Sequence, residues 1–349
     1  MTTRSTQPLM PPAKAFLRLA IHLALVLLIL AGCGKRGIEK AQQHPITQLP
    51  SGATAVGVLN FRLLRQHPDF PKYEKEMESD LQARARLEKF KAKTGTDLLH
   101  DTDRVAFGVY GDEADFNFLG IILGKFDESK IVAAIKEEAP ETNLEAKKFA
   151  NLNYYVISDP QLRRQKTLAF SFPTPRMVLF ATEEDLFLRG LDTLGGKSPA
   201  METDANFKSL LKESDSESTL WVVGLIPETL RDKLYGTMAG DLAVVEKYSV
   251  RLRWLADLSL DIRLTTKTEA DAGTLHSALL GAKGMASMVM HSQSNGAGNV
   301  LEKLTLRSEK SDVFISLQLT AQEVDALLAE RRPSPRGEGT TDTLTLRRP

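Results

Sequence analysis

Val250, Leu252, Trp254, Ala256, Leu258, Leu260, Ile262 and Leu264 all fall on one face of a single period-two pattern. Side chains of a β-strand alternate between two faces, so this spacing predicts strands with one buried face. The pattern outlasts a usual strand, which places a bend or turn near Ala256-Asp257. Val313, Ile315, Leu317 and Leu319 repeat the alternation. Polar residues fill the opposite face in these later strands, and sheets with one wet face are usually antiparallel. Earlier in the chain Val105, Phe107 and Val109 alternate with Arg104, Ala106 and Gly108. The run "FNFLGIILG" (116–124) supplies a second strand there, with "GDEAD" as the turn between them.

Helical periodicity lies between these strands. Leu186, Phe187, Gly190, Leu191 and Leu194 line one helix face, with Thr182-x-x-Asp185 as the expected cap and Gly195-Gly196 as the stop. Thr320-x-x-Glu323 opens a helix carrying Val324, Leu327 and Leu328. Asp127 precedes one with Ile131, Val132 and Ile135, ending before Pro140. A longer helix is expected from Pro71 to Lys93, with Tyr73, Met77, Leu81, Leu87 and Phe90 towards the core and its charges in solvent.

The order of elements occurs twice. "AVGVLNFRLL" (55–64) resembles "WVVGLIPETL" (221–230), each a strand running into a helix start. "LGKFDESKIVAAI" (123–135) resembles "LTTKTEADAGTLHSAL" (264–279), and "MVLFATEEDLFLRGL" (177–191) resembles "FISLQLTAQEVDALL" (314–328). The pattern predicts an α+β fold of two similar lobes, each an antiparallel sheet with helices packed on one face. A first lobe is expected over 51–197 and a second over 198–331, with a helical linker around Phe207, Leu210 and Leu211.

The chain carries 45 basic and 45 acidic residues, a formal charge of zero, which argues against a dedicated nucleic-acid binder. One cysteine in 349 residues rules out an intrachain disulfide. That cysteine, Cys33, ends an apolar run. Arg4, Lys14 and Arg18 are the only charged residues before Lys35, and an uncharged stretch rich in Leu, Ala, Ile and Val runs from Leu19 to Gly34. Its 16 residues, about 24 Å as a helix, fall short of the roughly 20 residues a membrane core needs, so it reads as a signal peptide.

Leu30-Ala31-Gly32-Cys33 resembles the lipobox of bacterial lipoproteins. The resemblance implies that the Cys33 thiol receives a diacylglycerol, that the signal (1–32) is cut between Gly32 and Cys33, and that the new amine is acylated. Palmitate on Cys33 would make the lipid bilayer its first partner. One fatty chain binds marginally and several bind firmly. In this family the residue after the cysteine influences sorting. Gly34 stands here rather than the Asp that commonly retains lipoproteins at the inner membrane. The resemblance therefore implies the periplasmic face of the outer membrane in a two-membrane envelope. The body also resembles a group of uncharacterised secreted bacterial proteins with duplicated α+β repeats. The resembling stretches are "QLPSGATAVGVLNFRLLR" (48–65), "GTDLLHDTDRVAFGVYG" (95–111) and the "GKFD" turn at 124–127. That resemblance brings no catalytic residues.

Residues 33–50, polar and with two prolines, are expected to be a tether. The end, "RRPSPRGEGTTDTLTLRRP", has a disordered composition, giving a tail over 332–349.

No motif supplies a reaction. Gly196-Lys197-Ser198 mimics a phosphate loop, but Leu191 stands where the first glycine is required, and a helix precedes it. Ser209-Leu-Leu-Lys212 matches Ser-x-x-Lys on a plain amphipathic helix, with no companion motif. Asp97, Asp101 and Asp103 around His100 offer oxygen ligands without EF-hand spacing, and turn-forming aspartates are the simpler expectation. His44, His67, His276 and His291 are scattered, with no zinc spacing. Met285, Met288 and Met290 could line a greasy groove, but filling a core is the expectation.

No catalytic residue, cofactor or metal is therefore assigned. The sequence points to a membrane-anchored envelope lipoprotein whose body is a non-enzymatic binding or scaffolding module for an envelope protein. The alternatives are a carrier or chaperone for an apolar ligand, marked by a deep Met-lined cavity between the lobes, and a hydrolase with a site assembled from distant residues.

Overall fold

The computed structural model describes residues 35–77, 81–111, 115–138, 143–158, 167–212, 217–235, 240–291 and 297–330. The signal run, Gly32, Cys33, Gly34 and the tail lie outside the described residues. No described helix is long and apolar enough to cross a membrane.

Among the described residues twelve strands are present: β1 Ala55–Asn60, β2 Thr102–Tyr110, β3 Asn117–Gly124, β4 Asn143–Phe149, β5 Leu152–Ser158, β6 Thr167–Thr174, β7 Met177–Ala181, β8 Leu220–Leu225, β9 Val245–Trp254, β10 Leu258–Thr266, β11 Thr305–Glu309 and β12 Asp312–Leu319. They form one sheet in the order β11-β12-β10-β9-β8-β1-β2-β3-β7-β6-β5-β4. Every ladder in it is antiparallel. The long alternating run divides at Leu255–Asp257 into the β9–β10 hairpin, where Trp254 pairs with Leu258. The expected bend is therefore a hairpin turn.

Two lobes with separate sheets are not what forms. β1 pairs with β8 along the middle, Ala55 opposite Gly224 and Leu59 opposite Leu220. "AVGVLN" and "LWVVGL" are apolar on both faces, and such strands make poor exposed edges, so each closes the other. The result is one continuous sheet with a first half, β1 to β7, and a second half, β8 to β12.

The helices are α1 Lys35–Gln43, α2 Phe61–Leu64, α3 Phe70–Met77, α4 Leu81–Thr94, α5 Leu98–Asp101, α6 Glu128–Glu138, α7 Glu184–Leu194, α8 Lys208–Lys212, α9 Glu228–Leu234, α10 Glu269–His291, α11 Ala297–Lys303 and α12 Ala321–Glu330. The expected helix from 71 to 93 is thus two, α3 and α4, on either side of residues outside the description. Leu87 and Phe90 of α4 are only partly buried.

Helices cover both faces of the first half, not one. On one face α7 and α1 pack over Leu119, Ile121, Leu179 and Val156. On the other, Phe61 of α2, Ile131 of α6 and the flank of α4 pack over Val105, Ile122, Phe170, Val178 and Phe180. In the second half a separate cluster joins Ala272 and Leu275 of α10 to Val245 and Val313. By the strand register this lies on the same face as the α2–α4–α6 layer, because Leu264 pairs with Val313 and the apolar row runs unbroken from β12 to β7.

The stretch expected as a tether is ordered over its described part. Ile38 and Ala41 sit one helical turn apart on the inner face of α1, and Ile46 and Leu49 follow from a 3-10 turn at Pro45–Gln48; all four are buried. Gly37 explains the fit: a Cβ there would lie 2.0 Å from the Leu194 carbonyl oxygen at the end of α7. The helix around Phe207 is also no free linker, because Met201, Phe207 and Leu210 are buried in the same cluster as Leu49 and Trp221.

The cap of α7 differs too. Glu183 takes the cap position without a side-chain hydrogen bond. Thr182 is committed to the end of the β3–β7 ladder, its Oγ1 accepting from the Phe118 amide at 2.9 Å and lying 3.3 Å from Asn117 Oδ1. At α12 the expected capping box is present, with the Thr320 amide donating to Glu323 Oε2 at 2.9 Å.

Candidate functional site

The face of the sheet that α7 and α1 cover in the first half is open in the second. Across the seam the same face changes chemistry within one strand spacing. Trp221 and Val223 of β8 are buried, while their register partners on β9 are Arg251 and Ser249. From there outward the face is polar. Arg251 and Arg253 of β9, Asp261 and Arg263 of β10, Phe314 and Ser316 of β12 and Arg307 of β11 line a trough of about 290 Å³.

Register explains the convergence. Ser249, Arg263, Phe314 and Arg307 form one row across four strands, and Arg251, Asp261, Ser316 and Thr305 form the next. Side chains in such rows stand about 5 Å from their neighbours, so four guanidinium groups reach a common volume.

Contacts within the trough fix some of these groups and leave others available. Arg263 donates to Asp312 Oδ2 at 2.8 Å, and Thr265 Oγ1 donates to the other carboxylate oxygen at 2.6 Å. Burial pushes the Asp312 carboxyl up, but these two hydrogen bonds and the Arg263 charge outweigh it, so the group sits below the usual carboxylate range. Arg307 pairs with Glu309 at 2.9 Å and lies over the Phe314 ring, its Cζ 3.9 Å from the centroid. The Arg263 Cζ is 5.9 Å from the same ring, so two guanidinium groups flank one aromatic side chain. Ser316 Oγ donates to Asp261 at 2.9 Å. Arg251, directly opposite Asp261 in the ladder, has no ion-pair partner among the described residues. The trough is thus a rigid, net-basic surface whose planar donor forks suit carboxylate or phosphate oxygens.

Among solved structures, crystal forms of one protein, TP0453, resemble this chain. Form I aligns with a TM-score of 0.45 and 10% identity over 82% of this chain and 96% of that one. Form III gives 0.44 and 10% identity over 82% and 97%. No protein-family model matches the chain, and no curated protein matches it.

The residues singled out by motif are dispersed. Gly196-Lys197-Ser198 follows the C-terminus of α7, where amides turn back onto carbonyls: Gly195 to Leu191 at 2.9 Å, and Lys197 to Asp192 at 2.8 Å. Gly196 takes φ +75°, the left-handed conformation a helix stop uses. Ser209 and Lys212 are both exposed on α8. Asp97 caps α5, accepting from the Leu99 and His100 amides, and pairs with Lys91 at 2.7 Å. Asp101 accepts from the Asp97 amide, Asp103 pairs with Arg65 and Arg176, and His100 Nε2 is 2.8 Å from Glu74. Among the described residues no group of His, Cys, Asp and Glu could hold a metal ion. His67 is buried against Trp254, His276 lies on α10 and His44 is exposed beside the 3-10 turn. The side chain of His291 is outside the described residues.

The methionines correct an expectation. Met285 is 66% exposed and Met288 76%, so neither fills a core. α10 buries Ala272 and Leu275 in its first turns, while Met285 and Met288 lie on its exposed side further along. Met290 is outside the side chains described. Among the described residues no Met-lined cavity separates the halves, because the seam there is a backbone-paired ladder.

The trough itself was missed from sequence. Its signal was present in the polar partners of the alternation, since Arg251, Arg253, Asp261 and Arg263 share the face opposite Leu252 and Ile262. What alternation could not show was that no helix would cover that face.

Proposed function

We propose that this chain is an envelope lipoprotein, acylated at Cys33 and facing the periplasm from the outer membrane, and that its body is a non-enzymatic module that binds or scaffolds a second envelope component. The lipobox and the signal-like run before it support the anchor. The observation that carries the binding role is the open trough: four arginines from three strands converge on an uncovered sheet face. In the first half the corresponding face is filled with apolar side chains and capped by α7. The partner surface that fits is acidic, with carboxylate or phosphate groups meeting the guanidinium forks.

The body is also proposed to be a diverged internal duplication. Supporting it, β1 and β8 each lead into a short helix, β3 and β10 each into a long one, and β7 and β12 each into the closing helix of their half. β7 lies outside β3 as β12 lies outside β10. The halves differ in what is inserted: α3, α4 and α5, then β4, β5 and β6 in the first, and α11 and β11 in the second.

The anchor is tested by Cys33→Ala with palmitate labelling and membrane fractionation. Loss of label and release from the membrane are expected; continued labelling and unchanged retention would defeat it. The binding role is tested by crosslinking in the native envelope with the wild type and with Arg251→Ser/Arg253→Ser. A partner captured equally by both would remove the trough from the account.

A further inference from the structure

The order found in residues 37–50 changes what an anchor at Cys33 would do. From Cys33 to Gly37 is four Cα steps, which at no more than about 3.6 Å each span about 14 Å. Gly37 is locked against the Leu194 carbonyl, with no room for a side chain. Ile38 and Ala41 are buried beneath it, Gln42 Nε2 donates to Thr174 Oγ1 at 3.2 Å, and Lys40 pairs with Glu202 at 2.6 Å. A body on a long flexible tether can tumble above its membrane; a body whose first helix is packed this close to the lipid cannot.

The surface beside the start of α1 has a composition suited to a bilayer interface. Phe149 ends β4 at the Ala150–Asn151 turn into β5, and Gly195 to Ser198 form the loop after α7. Lys197, whose side chain is 68% exposed, lies over the Phe149 ring with Nζ 5.6 Å from the centroid. Between these groups a pocket of about 140 Å³ opens, lined mainly by Ile38, Phe149, Leu152, Pro173, Leu191 and Leu194. Asp192 and Lys197 stand at its rim, 3.9 Å apart. Apolar side chains with such a lysine beside them match the boundary between acyl chains and headgroups, where the aliphatic part of lysine stays with the lipid and its ammonium reaches water.

Resting on the lipoprotein reading, we infer that acylation pins one fixed surface to the bilayer: the β4–β5 turn and the loop after α7, next to the Gly37–Leu194 contact. The partner is the lipid surface itself. The body then has a set orientation, with β11 at the far edge of the sheet held away from the membrane.

The experiment uses the acylated full chain in phosphatidylethanolamine–phosphatidylglycerol vesicles. Spin labels are placed at Asn151→Cys, in the proposed contact, and at Glu309→Cys, on the β11 edge. Collision with membrane-dissolved oxygen is compared with collision with a water-soluble nickel chelate. The label at 151 is expected to favour oxygen several-fold over the label at 309. Equal, water-like values at both sites, with palmitate present, would overturn the fixed orientation and leave the anchor standing. Absence of palmitate would instead defeat the lipoprotein reading. A flexible Gly/Ser insert of about twelve residues between Gly34 and Lys35 leaves α1 intact and is expected to abolish the difference. An unchanged difference in that variant would show that the surface binds lipid unaided, and pinning would be wrong. Gly37→Leu, which expels α1 from the Leu194 carbonyl, is expected to act in the same direction.

Discussion

The two halves of the sheet use the same strand chemistry and end differently. β3 and β7 in the first half are buried on both faces, and they read in sequence as unbroken apolar runs, "FLGIILG" and "MVLFA". β9 from Tyr248 and β10 to Leu264 in the second half alternate, and both strands stay half-buried throughout most of their length. A strand with two covered faces has no reason to alternate, whereas a strand with one wet face must. The difference between the halves is therefore a difference in how many helical layers each can hold. The half with one layer is the half that keeps a charged face free.

The largest expected contrast is in packing. Phe180, 1% exposed between β3, β6 and the helical layer, should cost about 3–5 kcal/mol when replaced by Ala. Leu260→Ala, at a half-buried position on β10, should cost about 1 kcal/mol. Urea unfolding of both variants checks this. Equal losses would mean that the second half is packed as tightly as the first.

A smaller effect should come from the trough. Asp312 titrates below its ordinary value of about 4, so its pairing with Arg263 contributes fully above that pH and is lost as the pH falls through the lower folded value. Arg263→Gln should cost about 1 kcal/mol at neutral pH, discounted because the guanidinium is 33% exposed, and should move the acid-unfolding midpoint to higher pH. Far-UV circular dichroism across an acid titration reads both. An unmoved midpoint would mean that the pair does not hold the open face together.

Smallest in stability, but sharp in pattern, is oxidation. Limited peroxide should convert Met285 and Met288 to sulfoxides well before Met177 and Met201, which are fully buried, with little loss of structure. Peptide mass spectrometry decides it. Protection of Met285 and Met288 would show that something covers the far part of α10.

Much of this architecture could be read before the coordinates. The β9–β10 hairpin, the β12 strand, the start of α6 after Asp127 and the Thr320–Glu323 box all follow from local spacing, which is set by residues close in sequence. The errors share a cause. Whether "AVGVLN" ends one sheet or joins another depends on a strand roughly 165 residues away in the chain, which no local pattern reports. The packing of residues 37–50 is not legible locally because Ile38, Ala41, Ile46 and Leu49 are sparse among polar residues, and only the groove beside α7 gives them somewhere to go. Thr182 was a plausible cap until Asn117 and Phe118, distant in sequence, claimed its hydroxyl. The trough was half legible: the alternation places its arginines on one face, and only the packing leaves that face bare.

The unbroken ladder also works as a ruler. From β6, where α1 and α7 sit, to β10 in the floor of the trough is seven strand spacings, about 34 Å at roughly 4.8 Å each. The β1–β8 seam is made of the same backbone hydrogen bonds as every other step, so it gives no hinge along that length. A partner on the proposed trough would be held at one distance from α1 and on the same side of the sheet. A pull at either end would then be carried through the strand ladder as tension, instead of being absorbed by rotation of one half against the other.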